Sequence, residues 1–129
     1  VTDFMFLEKY SHVSHIVSNI VGRLKPKTSV YDILKSVFPG GTITGCPKIR
    51  CMEIIAELEP IKRGPYSGSF GYIGFGSYLD LNIIIRSIIV CGEVASFHVG
   101  AGIVADSNPE KEYQETLDKA AAMIQALSQ

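Results

Sequence analysis

Several residues near the C-terminal end have types and spacing suited to chemistry. Glu110, Glu112 and Glu115 stand close together, with Lys119 just beyond them. Glu112 and Glu115 are three apart, so a helix puts them on one face. Paired carboxylates are hard oxygen ligands of the kind Mg²⁺ takes, one or two at a time with waters and substrate completing the shell. The same acids also serve as ordinary first-turn residues that complement a helix macrodipole. Lys119 lies one turn past Glu115, where an i,i+4 ion pair is the plain alternative. Arg86 interrupts the apolar run from Ile83 to Val90. A charge there is costly unless paired, and its fork suits a carboxylate, whether of a substrate or of a structural ion pair. His12 and His15 read equally as ordinary surface or core histidines. The run Gly40-Gly41-Thr42-Ile43-Thr44-Gly45 leads through Pro47 to Lys48. Glycines ahead of a helix let backbone N–H groups approach an anion. The spacing is neither a P-loop nor a dinucleotide fingerprint, and a structural turn is the plain alternative.

These residues need elements to position them. Residues 11–24 are rich in Val, Ile and Ser and read as a strand. Lys25-Pro26-Lys27 is a turn. Ser29 and Asp32 form a capping-box pair that opens a helix ending near Phe38-Pro39. The segment 40–45 reads as a Gly/Thr loop. A second helix runs from Lys48 to Leu58, with Ile49, Met52 and Ala56 as its inner stripe. Three strand-like runs follow, 66–75, 79–90 and 93–104, with connections short enough for an antiparallel meander. Asn108 is a candidate N-cap for a last helix that Pro109 opens. Its stripe is Tyr113, Leu117, Ala120, Ile124 and Leu127. The order predicts an α+β fold: an antiparallel sheet of four strands with helices packed on one face.

The chain has 129 residues, 47% hydrophobic and 19% charged, with a formal net charge of −1. That excludes disorder and suits one domain, residues 1–129. There is no basic stripe for nucleic acid. No apolar run reaches the roughly 18 residues of a membrane span. The N-terminus lacks a secretory pattern. Cys46, Cys51 and Cys91 form an odd set without zinc spacing, which suggests reduced thiols in a cytoplasmic protein. The high apolar content in so short a chain, and a sheet with one bare face, predict an incomplete domain that meets another chain or segment.

Taken together, these segments resemble a known family. The runs 8–18, 38–55, 67–72, 84–87, 100–107 and 109–116 are similar to the C-terminal part of the chorismate-utilising enzymes. That family includes anthranilate synthase component I, aminodeoxychorismate synthase component I, isochorismate synthase and salicylate synthase. The resemblance runs from about residue 8 onward. The segments 40–45, 81–86 and 115–119 look more like aminodeoxychorismate synthase component I (para-aminobenzoate synthase component I). The segments 10–15 and 100–107 are as much like anthranilate synthase.

The resemblance implies half of the larger chorismate-binding α/β sandwich. It implies Mg²⁺ as cofactor, with Glu115 a direct ligand and Glu112 one acting through water. It implies that Arg86 and Tyr66 meet the side-chain carboxylate of chorismate. Gly100, Ala101 and Gly102, with Lys119, would receive the ring carboxylate. Thr42 would line the ring site, and His15 would assist proton movement beside it. The implied parent is a transferase or lyase that aminates chorismate to 4-amino-4-deoxychorismate for p-aminobenzoate and folate. Its ammonia would come from a glutamine amidotransferase subunit. Anthranilate synthase component I and a non-catalytic truncated module are the alternatives. The N-terminal half would supply the remaining catalytic residues, so this chain alone is expected to be inactive. A dianionic substrate needs such a set of cations and free backbone donors.

Overall fold

The computed structural model describes residues 1–10, 14–76 and 78–128. The chain opens with an antiparallel hairpin of β1 (Asp3–Lys9) and β2 (Ser14–Asn19). In its register Glu8 faces His15 and Leu7 faces Ile16. The pairing is irregular between Asp3 and Phe6, where Met5 adopts a φ of 49° and its N–H donates to Ser18 Oγ at 3.1 Å. The strand expected over 11–24 is thus real but shorter, and its partner β1 was not foreseen. Residues 11–13, His12 among them, lie outside the described residues.

Helix α1 (Val30–Val37) starts at the expected capping box. The Asp32 N–H donates to Ser29 Oγ at 3.2 Å, and the Ser29 N–H donates to the Asp32 carboxylate at 3.0 Å. The Gly/Thr segment is not a loop. Residues Gly41–Thr44 form a short helix, α2, in which the Gly45 N–H donates to the Gly41 carbonyl at 2.7 Å. Two β-branched threonines hid this turn, but Thr44 Oγ1 bonds back to the Gly40 carbonyl at 3.1 Å and supports it. Gly45 then takes a φ of 98°, and a Cβ there would lie 2.8 Å from Cys51 Sγ. Only glycine fits both the backbone and the space before α3 (Lys48–Leu58).

Strands β3 (Ser69–Ile73) and β4 (Leu79–Ile83) form a second hairpin, and β5 (Ile89–Cys91) and β6 (Val94–Ser96) a third. The meander stops between β4 and β5. The Ile85 N–H turns back to the Ile83 carbonyl, and Arg86 has a φ of 51°. A left-handed residue cannot continue a strand, so the run expected over 79–90 divides at Arg86. In place of the expected four-stranded sheet, the described residues form three separate two-stranded sheets. The α+β class stands.

Helix α4 (Pro109–Leu127) closes the chain, capped by Asn108 Oδ1, which accepts from the Lys111 N–H at 3.0 Å. Its buried residues are Ala120 and Met123. The rest of the expected stripe is exposed, Tyr113 at 65% and Ile124 at 55%. The inner stripe expected for α3 is likewise open, with Ile49 at 77% exposed. The accessible surface is 10746 Å², against roughly 6,700 Å² for a compact monomer of this mass. The amphipathic faces were read correctly as apolar, but little in the chain covers them.

Asn108→Ala should cost about 1 kcal/mol by freeing the Lys111 N–H at the start of α4. Chemical denaturation of the full-length protein checks this: a midpoint shift at unchanged slope is expected.

Candidate active site

Helix α4 sets the pitch of one group of side chains. Thr116 Oγ1 bonds the Glu112 carbonyl at 2.9 Å, inside a regular helix. Regular winding places Glu112, Glu115 and Lys119 along one face. The Lys119 ammonium pairs with Glu115 Oε1 at 2.5 Å and donates to the Gly100 carbonyl at 3.1 Å. Lysine thereby joins α4 to the Gly100-Ala101-Gly102 run. Glu112, with Ala101, Pro109, Tyr113 and Thr116, lines a cavity of about 350 Å³.

Tyr66 reaches the same run from the turn before β3. A Cβ placed on Gly100 would lie 3.2 Å from the Tyr66 hydroxyl, so the absent side chain leaves that oxygen its room. Tyr66 also stacks on His98, with ring centroids 5.5 Å apart and planes 16° from parallel. The Arg63 guanidinium sits 5.6 Å from the Tyr66 ring centre. Arg63 is held in turn by two hydrogen bonds to the Glu59 carboxylate, one of 2.8 Å, and reaches Ser67 Oγ at 3.3 Å. Hydrogen bonding to Arg63 is the main cause that holds the Glu59 carboxyl below the usual carboxylate range; partial burial opposes it. Ser67 is buried with a φ of 64°, and its N–H donates to the Ile84 carbonyl just past the end of β4.

Arg86 and His15 form a second group. Arg86 Nη1 lies 2.9 Å from His15 Nε2. The Tyr10 ring meets His15 edge-on at 5.8 Å. The structure thus brings together Tyr66, Gly100, Lys119 and Glu115, sets Ala101 beside Glu112, and joins His15 to Arg86. No hydrogen bond or ion pair among the described residues links Arg86 to Tyr66. Thr42 is exposed on α2, and Gly102 is open around its Cα.

A family model described as chorismate binding enzyme matches residues 1–125. The chain belongs to the chorismate-binding enzyme family. An anthranilate synthase component I-like protein of Synechocystis sp. is 54% identical over 127 residues, covering 98% of this chain and 26% of that protein. Aminodeoxychorismate synthase component 1 of Bacillus subtilis is also 54% identical over 127 residues, covering 98% of this chain and 27% of that protein. The crystal structure of anthranilate synthase component I from Streptococcus pneumoniae TIGR4 superposes with a TM-score of 0.86 at 45% identity, covering 95% of this chain and 28% of that one. The chain therefore spans about a quarter of the length of the curated relatives it matches.

The charges around this group suit an anion. Arg86, Lys119 and Arg63 are the cations near the glycine run and the β4–β5 turn. Among the described residues no three or more His, Cys, Asp or Glu converge on a point. Glu112 and Glu115 are two carboxylates on one helix face, a set that fits Mg²⁺, which keeps waters and substrate oxygens as its other ligands. Glu115 would exchange its Lys119 partner for the metal. Sequence reasoning did not find Glu59, Arg63 or His98. The spacing of Glu59 and Arg63 was the available signal. His98, two residues ahead of Gly100, was visible by position alone.

Because the Glu59 carboxyl is depressed, the stability from its pair with Arg63 is fully present above the unfolded carboxylate value and is lost as pH falls from there through the lowered folded value. Glu59→Gln should be less stable than wild type at neutral pH, with the gap closing under acid. Denaturation at several pH values checks this. A gap that stays constant would contradict the pairing.

Proposed function

We propose that this chain is a part of a chorismate-aminating enzyme and carries one side of the substrate site. The observation that supports it best is the arrangement of Lys119 between the Glu115 carboxylate and the Gly100 carbonyl, beside the Tyr66 hydroxyl. That arrangement offers a cation, a hydroxyl and glycine backbone to a carboxylate, next to two acids able to hold a hard metal ion. The finer reading is aminodeoxychorismate synthase component I, with product 4-amino-4-deoxychorismate. It rests on the residues of segments 40–45, 81–86 and 115–119. A second reading is anthranilate synthase component I, since the anthranilate synthase component I-like protein and the aminodeoxychorismate synthase component 1 are equally similar to this chain, at 54% identity.

In this reading Glu115, and Glu112 through water, would hold Mg²⁺, which would supply charge withdrawal at the ring carboxylate. Lys119 and the N–H groups of Gly100, Ala101 and Gly102 orient that carboxylate. Arg86 and Tyr66 bind the side-chain carboxylate, Arg86 through its fork. His15 holds or moves a proton beside the ring, and Thr42 lines it. The surplus apolar surface suits cover by further chain, as the length of the relatives suggests. Ammonia would be delivered by a glutamine amidotransferase subunit.

The test is the full-length protein incubated with chorismate, ammonium and Mg²⁺, with products separated by chromatography. 4-Amino-4-deoxychorismate supports the finer reading, anthranilate the second, and unchanged chorismate neither. Glu115→Gln keeps shape and helix propensity but removes the charge that the metal needs. It should fold normally and lose about 10²-fold in activity, partly recovered at high Mg²⁺ by mass action. Glu110→Gln, off that helix face, should be nearly neutral. A Mg²⁺ titration of activity for the three proteins checks this. Wild-type Mg²⁺ dependence in Glu115→Gln would remove the metal assignment.

A further inference from the structure

The contact between His15 and Arg86 constrains the histidine more than its place in the site requires. A guanidinium has five N–H donors, no acceptor, and does not deprotonate in proteins. The 2.9 Å approach of Arg86 Nη1 to His15 Nε2 is therefore a hydrogen bond only if Nε2 carries a lone pair. The ring proton must then sit on Nδ1. An imidazolium has N–H at both nitrogens and would set donor against donor across that distance, with two like charges in contact.

Among the described residues no hydrogen bond other than that to Arg86 engages Nε2. His15 is half-buried on β2, opposite Glu8 of β1. Tyr10 meets its ring by an edge, not by its hydroxyl. The neighbouring Glu8 carboxylate, as hydrogen-bond acceptor and as charge, pushes the Tyr10 phenol above its ordinary value. Glu8, Tyr10 and Arg86 are the titratable or charged groups placed around His15 among the described residues. Arg86 also holds a left-handed φ of 51° at the break between β4 and β5, a conformation uncommon for a residue with a side chain. Strained residues of this kind cluster at functional sites.

We propose that Arg86 is a positioning residue for His15: its Nη1 donor fixes the imidazole as the neutral tautomer with the proton on Nδ1. This rests on the reading of His15 and Arg86 as site residues. Only Nη1 is spent on the histidine, so Nε and Nη2 remain for a carboxylate in side-on bidentate contact. One guanidinium can then hold substrate and histidine together. His15 enters the reaction uncharged, donating through Nδ1, and does not serve as an imidazolium acid while the contact lasts.

The full-length protein, labelled with ¹⁵N at histidine and assigned with His15→Gln, tests this by NMR at pH about 7.5, where histidine is largely neutral. The Nδ1–H tautomer should dominate at His15 in the wild type. Arg86→Met removes the donor and should bring back the Nε2–H form, while Arg86→Gln keeps an N–H donor and should restore the Nδ1–H form in part. Saturating chorismate should leave the wild-type tautomer unchanged. An Nε2–H or doubly protonated His15 in the wild type, free or with chorismate, overturns the proposal without need of any variant. So does an Arg86→Met spectrum identical to wild type. If chorismate does not bind at all, the substrate reading fails, and the tautomer comparison of the free proteins still decides the role of Arg86.

Discussion

Each hairpin, and each helix but the short α2, turns apolar side chains toward space that the described residues do not fill. Phe4 on β1, Phe70 on β3 and Ile49 on α3 are each more than 70% exposed. Two-stranded hairpins are marginal in water by themselves, and a helix of α3's length is too. Local devices therefore carry an unusual share of the order: the capping box of α1, the Asn108 cap of α4 and the threonine back-bond of α2. Among the described residues the buried apolar ones, Ala120 and Met123, both lie on α4. The hydrophobic term that dominates most domains awaits a covering surface.

Against that background the polar contacts have a second use. Lys119 ties α4 to the glycine run, and Arg86 ties the β4–β5 turn to β2 across 71 positions of sequence. The Glu59–Arg63–Tyr66–His98 stack fixes the end of α3 to the residues ahead of Gly100. In each case a residue assigned to the site, or its direct support, is also a strut between elements. Exposed ion pairs hold little energy singly, so these struts fix geometry more than stability.

Much of this was legible before the structure. The caps of α1 and α4 follow from Ser29, Asp32 and Asn108, because capping is local chemistry between residues three apart. The face shared by Glu112, Glu115 and Lys119 follows from helical spacing. What escaped was non-local or depended on backbone angle. Nothing in Asp3–Lys9 marks it as the partner of β2, since pairing is decided across the turn. Nothing in the alternation of residues 79–90 marks Arg86 as left-handed. The stripes on α3 and α4 were apolar as read, yet burial needs a partner surface, and periodicity records only the invitation. The Tyr66–His98 stack joins residues 32 apart with no shared motif.

The backbone at Arg86 has a consequence for how this protein tolerates change. Glycine adopts a φ of 51° without penalty, whereas arginine is strained there. Replacement by glycine would relax the turn while deleting the guanidinium that contacts His15 and that the proposed reading gives to a carboxylate. In that reading the substitution most comfortable for the chain is also the one most damaging to the site. Mutant libraries screened for thermal tolerance alone would drift toward glycine at this position, and those screened for turnover would hold arginine against the drift. The two selections diverge at a single residue, which makes its identity in evolved populations a record of which pressure was applied.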